Sequence, residues 1–127
     1  MPIIWRLNGT RVDITFSDPY TLAESEKVMR EVFADPRARR PLRFLVDVRH
    51  SAAPDAEFVG NAITFWQAQI SHMWDARIAV ITATDNQVRM GRLSEDTAES
   101  RGLPFTVRVF DESGVADAAS WLTSSAS

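Results

Sequence analysis

The sequence contains no cysteine, which excludes disulfides, thiolate metal sites and cysteine nucleophiles. Glycine is also scarce, with five among 127 residues, and none of the five stands in a glycine-rich phosphate-binding motif. Lys27 is the only lysine, so almost all of the 14 basic residues are arginines. The net charge of −3 argues against a nucleic-acid partner, because proteins that bind nucleic acids usually present a basic surface.

Long apolar runs are absent as well. No segment approaches the length of a membrane span, and the N-terminal stretch has neither the apolar core nor the small residues of a signal peptide. A chain of this length is typical of one domain. We therefore expect a single cytoplasmic domain over residues 1–127, ending in a disordered polar tail from about residue 123.

What is present is a regular succession of strand and helix signals. Apolar residues alternate on both sides of Asn8-Gly9, which predicts a β-hairpin closed by a type I′ turn. Three further apolar runs alternate with helical segments, so the predicted order is β-β-α-β-α-β-α-β-α. Strands separated by helices are usually parallel. We expect an α/β fold in which a β-hairpin is followed by βα units, with the helices packed on a mostly parallel sheet.

Several residues mark the predicted helix ends. Thr21 and the glutamate three residues later have the spacing of a capping box. Asp55 is the expected N-cap of a long second helix, over about residues 56–74. Asp85 is the expected N-cap of the third helix, and Gly102 suits the position just after its end.

The second helix carries an apolar face that covers about half of its circumference. Trp66 lies in the middle of this face, so we expect it in the core, where truncation to alanine costs about 3–5 kcal/mol. Phe58 and Phe65 lie on one flank, Ile63 and Trp74 lie on the other, and the nearby Gln69 suggests that the flank of Phe58 and Phe65 is the wetter one. Neighbouring helices could cover both flanks, or one flank could line an apolar pocket or a docking surface.

The third helix has the thinnest apolar stripe, with only Val88, Leu93 and Ala98 well placed. We expect it to be the most loosely held element over the sheet. A loosely held helix beside an apolar flank could act as a lid.

Polar residues follow the ends of the predicted parallel strands. Because the carboxyl ends of parallel strands share one end of the sheet, these residues should form one surface with the aromatic flank of the second helix. The predicted ligand or partner surface consists of Ser17, Asp18, Arg49, His50, Asp55, Phe58, Phe65, Thr84 and Asp85.

Catalytic and metal sites are not predicted. Ser51, His50 and Asp47 are too close in sequence to face one another as a triad, and no strained Gly-x-Ser-x-Gly turn is present. His50 and His72 fall at opposite ends of one helix, roughly 25–30 Å apart, too far for a shared metal ion. We therefore expect no enzyme activity, no metal and no cofactor.

A basic loop precedes the central strand, with arginines at positions 37, 39, 40 and 43. It should lie at the end of the sheet opposite the predicted ligand surface. It could be a solvated loop, or it could contact acidic phospholipid headgroups.

The element order resembles the STAS domain, the fold of the SpoIIAA-like anti-sigma-factor antagonists of bacteria. The resemblance covers nearly the whole chain and rests on the leading hairpin, "VDITF…TLAE", "LRFLVDVRHS", "RIAVIT" and the ending "VRVFDESGVADAASWL". That ending is most similar to a divergent SpoIIAA-like group whose fold is also compared with the lipid-binding CRAL-TRIO domain. The resemblance therefore implies a regulatory module or a binder of an apolar ligand.

The resemblance fails where the family carries its regulatory chemistry. Its antagonists have an Asp-Ser-Ser-Gly motif at the start of the helix after the central strand, and phosphorylation of one serine releases the partner kinase. The corresponding residues here are Asp55-Ala56-Glu57-Phe58, and neither serine is present. This departure implies that the chain is not phosphorylated there. Asp55 and Glu57 suit a helix cap and a first-turn carboxylate, and imitation of phosphoserine by Glu57 is the alternative.

These observations favour a non-catalytic STAS-like binding or regulatory module without a phosphorylation switch. The alternative is a binder of an apolar ligand, or a CRAL-TRIO-like lipid-binding domain associated with a membrane. The expected partner is accordingly a protein or a small apolar ligand, while peripheral membrane contact and pairing into a homodimer stay open. An apolar cavity that opens between the second and third helices would favour ligand binding, and a closed core would favour protein docking.

Overall fold

The computed structural model describes residues 2–124. Within these residues, five strands and four helices follow the predicted alternation, and one additional short helix, α3, brings the number of α-helices to five. The strands are β1 (Ile3–Asn8), β2 (Arg11–Ser17), β3 (Arg43–His50), β4 (Arg77–Thr82) and β5 (Thr106–Asp111). The helices are α1 (Leu22–Ala34), α2 (Ala56–Ala68), α3 (Ile70–Met73), α4 (Asp85–Ser100) and α5 (Val115–Thr123), and a single 3-10 turn precedes α5.

The five strands form one sheet in the order β1-β2-β3-β4-β5. β1 pairs with β2 antiparallel, and the other three pairings are parallel. The expected α/β architecture with a leading hairpin and a mostly parallel sheet is therefore confirmed. Because the strands follow one another in sequence order, each βα unit adds one strand to the same side of the sheet.

The predicted type I′ turn of the hairpin is wrong in detail. The two-residue loop is Gly9-Thr10, between the paired residues Asn8 and Arg11. Gly9 has a φ of 65° and is the only loop residue with positive φ, whereas a type I′ turn needs positive φ at both positions. Positive φ at the first loop position alone is typical of a type II′ turn, in which glycine takes that position.

Helices cover the two faces of the sheet unequally. α1, α2 and α4 pack on one face, where the larger core cluster includes Val32, Phe44, Ile63 and Ile78. α5 alone packs on the other face, through the smaller cluster Ala79, Ile81, Ala118 and Leu122. Each strand therefore carries apolar residues toward the three-helix face, while β1 and β2 present mostly polar side chains to the other face.

The start and end of α4 were predicted with mixed success. Thr84 is the N-cap, in place of the predicted Asp85. Its hydroxyl accepts a hydrogen bond from Gln87 N, and Gln87 Oε1 accepts one from Thr84 N. This is a capping box of the Thr-x-x-Gln type, which satisfies two free donors rather than one. At the other end Gly102 has a φ of 63°, so the predicted glycine beyond the helix is confirmed.

The predicted single helix over residues 56–74 is wrong, because the chain breaks at Gln69 into α2 and α3. The N–H of Gln69 is shared between the carbonyls of Phe65 and Trp66, which marks the end of a regular helix. Trp74 then follows α3 with 66% of its side-chain surface exposed. Trp74 therefore lies beyond the end of α2. Within α2, Phe58 and Phe65 are half-buried whereas Ile63 on the opposite flank is 1% exposed, so the flank of Phe58 and Phe65 is the wetter one, as expected.

The outer strand β5 is held closely by α4. Gly91 of α4 faces Val109 of β5 so closely that a Cβ at position 91 would lie 2.6 Å from Val109 Cγ2. One helical turn later, Glu95 Oε2 accepts a hydrogen bond from Val109 N at 2.7 Å. The Glu95 carboxylate therefore accepts the hydrogen bond of a backbone N–H on the outer edge of the sheet.

The first two residues of the predicted C-terminal tail are ordered by α5. Thr123 is the last residue of α5 and Ser124 is its C-cap, while the rest of the predicted tail lies outside the described residues. Among residues 2–124, no helix has the length and apolar character needed to cross a membrane.

Candidate functional site

An apolar cavity lies between the sheet and the three helices α1, α2 and α4. Its volume is about 110 Å³. Aliphatic and aromatic side chains make up most of its wall, and the polar lining residues are few: Tyr20, Ser25, Gln87 and Ser94. The cavity forms where three helices meet over a twisted sheet and side chains of differing length do not fill the junction completely. It lies between the second and third of the predicted long helices, as ligand binding would require.

Two groups of half-buried side chains border the cavity, so it is not sealed from solvent. One group lies at the C-terminal end of the parallel strands and includes Tyr20, Pro54 and Phe58. The other lies along the seam between α2 and α4 and includes Trp66 and Met90.

Tyr20 forms part of the cavity rim at the C-terminal end of the strands. Its ring meets Phe16 and Phe58 edge to face, with ring centres 5.0 and 5.6 Å apart. Its hydroxyl donates a hydrogen bond to Ala52 O at 3.2 Å. Burial raises the pKa of the Tyr20 phenol above its ordinary value, and the charges of nearby carboxylates act in the same direction. Tyr20 is therefore a neutral hydrogen-bond donor that fixes an aromatic cluster over the cavity.

Trp66 borders the cavity midway along α2. Its indole meets Phe105 edge to face with ring centres 5.8 Å apart, and it packs against the main core. The expectation of a core position holds for its contacts, although the side chain stays half-buried.

Gln87 is the most heavily bonded side chain at the C-terminal end of the sheet. It is only 3% exposed. Its Nε2 donates to Val48 O and to Ser51 O, both at 2.8 Å. Its Oε1 accepts from Ala83 N at 2.6 Å and from Thr84 N at 3.1 Å. One amide thus joins the start of α4 to the end of β3 and to the loop that follows it, and it forms part of the cavity wall.

Sequence reasoning missed Gln87. The spacing Thr84-x-x-Gln87 is that of a capping box and indicates Gln87, whereas the predicted cap is Asp85. The hydrogen bonds to the loop after β3 join residues up to 39 positions apart, and no local pattern indicates them.

The far end of α4 is also anchored. Arg101 Nη1 donates to Thr64 Oγ1 at 3.0 Å and to Gln67 Oε1 at 3.3 Å, both on α2. Together with the Gln87 contacts and the Glu95 contact to β5, this gives α4 side-chain anchors at its start, middle and end. The expectation of a loosely held third helix does not agree with these anchors, because it counted only apolar contacts.

The predicted polar surface is mostly engaged within the chain. Asp18 accepts from Ala52 N at 2.8 Å, and Ser17 Oγ donates to Pro2 O at 3.1 Å. Arg49 pairs with Asp47 through Nε at 3.0 Å and Nη2 at 2.9 Å. Burial by itself raises the pKa of Asp47, but the hydrogen bonds and charge of Arg49 outweigh it and hold that pKa below its ordinary value.

The remaining predicted site residues are divided. Asp55 is the N-cap of α2, as expected, and accepts from Phe58 N at 2.8 Å. Phe58 lines the cavity, but Phe65 does not, and Arg30 lies 5.2 Å above the Phe65 ring instead. His50 and Asp85 are exposed at the C-terminal end of the sheet. Of the nine predicted residues, only Phe58 belongs to the cavity wall.

Ser51 is not available as a replacement phosphorylation site in this fold. It is 6% exposed, and its hydroxyl donates to Val48 O at 3.0 Å. Within the described part of the chain, no three His, Asp or Glu side chains converge as a metal ion requires.

Comparisons of the chain with models of protein families, with curated proteins and with solved structures found no match.

Proposed function

We propose that this chain is a non-catalytic binding module that holds a small apolar group in the cavity between the sheet and α1, α2 and α4. The observation that carries the proposal is the apolar wall of that cavity at the junction of α2 and α4. The apolar wall offers water few hydrogen-bond partners, so an apolar occupant gains packing contacts without displacing strongly bound water.

The volume of the cavity limits its occupant. At about 110 Å³ it is close in size to an apolar protein cavity that binds benzene, about 150 Å³. It is smaller than the roughly 300–1,000 Å³ of sites for drug-sized ligands. The proposed occupant is therefore a compact ring or a short branched aliphatic group. A long acyl chain enters only if α2 and α4 separate, which their anchors oppose.

The polar groups around the cavity support binding over chemistry. The Tyr20 hydroxyl is held by Ala52 O, and the Gln87 amide is held by four backbone groups. A hydroxyl nucleophile needs an adjacent base such as His, Asp or Glu, and none of these residue types lines the cavity within the described part of the chain. Ser94 is likewise engaged with Met90 O at 3.1 Å.

Binding of small apolar probes tests this proposal. Benzene and toluene titrated into labelled protein should give saturable NMR shifts at the methyl groups of Ile63, Val80 and Met90, which line the cavity. The variant Ala62→Leu puts a larger side chain on the cavity wall and should abolish the shifts. Ala68→Leu, at an exposed position on the same helix, is the matched control and should leave them unchanged. Non-saturable shifts, or equal loss in both variants, would contradict the proposal.

A STAS-like docking module without a phosphorylation switch is the second candidate. It is favoured by the exposed start of α2, where Ala56 and Glu57 stand at the surface in place of the serines of the resembling family. A protein partner would contact this start together with His50 and Asp85. Incubation with an anti-sigma-type kinase and ATP should leave the intact mass unchanged, whereas a phosphate at any serine would contradict this candidate.

A further inference from the structure

A second recess lies at the opposite end of the sheet from Tyr20 and Gln87, between the end of α1, the loop before β3, and α3. Its volume is about 540 Å³. This is within the usual range of small-molecule sites, roughly 300–1,000 Å³. Two arginines of the basic loop, Arg39 and Arg40, line it, and we call it the basic recess.

The charge of the basic recess comes from these two arginines. The one carboxylate in its wall, Asp35, is already paired with Arg37, whose Nη2 lies 2.8 Å from Asp35 Oδ2 and whose Nε lies 3.1 Å from Asp35 Oδ1. The backbone N–H of Arg37 donates to the same carboxylate at 2.9 Å. Asp35 therefore does not neutralise Arg39 or Arg40.

The two guanidinium groups differ in how they are held. Arg40 Nη1 donates to Ser71 O at 2.7 Å, which fixes the side chain and leaves its other N–H groups for a ligand. Arg39 forms no hydrogen bond and no ion pair with any residue from 2 to 124, and it is exposed. One anchored arginine and one free arginine on the same wall suit an anion whose oxygens accept hydrogen bonds from both guanidinium groups.

The rest of the wall is flat and apolar. The rings of Phe33 and His72 are stacked with centres 4.6 Å apart and planes 12° from parallel, and Leu42 is almost completely buried. A planar or aliphatic group can pack against this surface while an anionic group reaches the arginines. Guanidinium groups match phosphate oxygens through paired N–H donors.

We propose that the basic recess binds a phosphomonoester group, with Arg39 and Arg40 donating to its oxygens and the Phe33–His72 stack packing against the group that carries it. This goes beyond the proposed function, because the site lies at the other end of the sheet and needs no occupant in the cavity. The same chemistry is offered by a soluble phosphorylated molecule and by the headgroup of phosphatidic acid. The exposed Trp74, which follows α3, is of the type that enters membrane interfaces.

Two probes distinguish these sources. Phenyl phosphate measures binding of a soluble phosphomonoester by calorimetry. Phosphatidylcholine vesicles with and without phosphatidic acid measure binding to a lipid headgroup by co-sedimentation. Binding of phenyl phosphate alone assigns the site to soluble molecules, and binding that needs phosphatidic acid in the vesicle assigns it to the headgroup. Either result supports the proposal, and saturable binding of neither probe overturns it.

A charge-matched pair of variants tests the site itself. The double variant Arg39→Gln with Arg40→Gln should weaken binding of the effective probe about tenfold or more, because each lost guanidinium removes charge-assisted hydrogen bonds. The control is Arg6→Gln with Arg89→Gln, which removes the same charge from two exposed positions elsewhere. It should change binding less than about twofold.

Equal weakening by both double variants would overturn the proposal, because it would show attraction to the overall charge alone. Arg39→Gln by itself guards against a folding defect, since Arg39 has no hydrogen bond or ion pair to lose within the described chain. Its amide spectrum should match that of the wild type while its affinity falls.

Discussion

The two ends of the sheet use their polar side chains in opposite ways. At the C-terminal end, the Gln87 amide is bonded to four backbone groups and the Asp18 carboxylate accepts from Ala52 N, so both side chains join distant segments of the chain. At the N-terminal end, Arg39 is unpaired within the described residues, and Arg40 uses only one of its nitrogens. Open α/β sheets usually bind ligands at the C-terminal ends of their strands. Here Asp18, Arg49 and Gln87 at that end are engaged within the chain, while His50 and Asp85 are exposed, and the apolar cavity opens at the same end.

The comparison shows that polar residues at strand ends do not define a polar site by themselves. What decides is whether the chain itself already satisfies their hydrogen bonds. The following changes test that distinction, from the largest expected effect on stability to the smallest.

The largest loss of stability should come from a change at Trp66. Its side chain lies between the two ends of the sheet, so the loss measures apolar packing alone. Trp66→Ala should cost about 3 kcal/mol, at the lower end of the range for buried tryptophan because the side chain is half-buried beside a cavity. Chemical denaturation measures the loss. Trp74→Ala is the control, and at 66% exposure it should change stability by less than about 0.5 kcal/mol. A loss below about 1 kcal/mol for Trp66→Ala would place the indole at the surface.

Gln87→Leu should have the next largest effect and lower the free energy of unfolding by about 2–3 kcal/mol. The substitution keeps the volume but removes the partners of two carbonyls and two N–H groups, and unsatisfied groups of this kind cost about 1–3 kcal/mol each when water cannot reach them. Loss of the contact between α4 and the loop after β3 should also speed amide exchange at Ala83 and Thr84. Asn86→Ala, at the exposed neighbouring position, controls for helix propensity. Equal stability of the two variants would mean that water replaces the Gln87 amide without cost.

Asp18→Ala should cost about 1–2 kcal/mol, because Ala52 N loses a charged acceptor at a partly exposed position. Asp18→Asn keeps one acceptor oxygen and should recover part of the loss. Thermal unfolding of both variants measures the difference. If alanine and asparagine were equivalent, the loop after β2 would not be held through this side chain.

The smallest effect concerns Asp35 at the N-terminal end. Hydrogen bonds from the Arg37 side chain, then from its backbone, lower the pKa of Asp35 to about 2. A pKa below the unfolded value, about 3.9, means that the contact stabilises the fold above that pH and that this contribution is lost as pH falls towards 2. In Arg37→Gln, an NMR titration should show the Asp35 pKa returning towards its ordinary value. An unchanged pKa would assign the shift to another group.

The elements with local signals could be predicted from the sequence. The hairpin at Gly9, the capping box at Thr21, the cap at Asp55 and the glycine at 102 each depend on residues within four positions of one another. The alternation of strands and helices then determines a mostly parallel sheet.

What the sequence did not show depends on contacts between distant segments. The break at Gln69 leaves no glycine or proline as a marker, and the apolar period continues through it. The cavity exists because three helices meet without filling their junction, which depends on side-chain volumes in three dimensions. Asp18 and Gln87 form hydrogen bonds with residues more than 30 positions away, and local sequence patterns do not indicate such bonds.

The carboxylate of Glu95 on the outer side of β5 has a consequence for self-assembly. A strand added at β5 would bring its carbonyl oxygens against a carboxylate that already holds Val109 N. Growth of the sheet from one molecule to the next therefore has at most one open side, at β1. Molecules that each offer one such side can join as a closed pair, but they cannot polymerise into a fibre by this route.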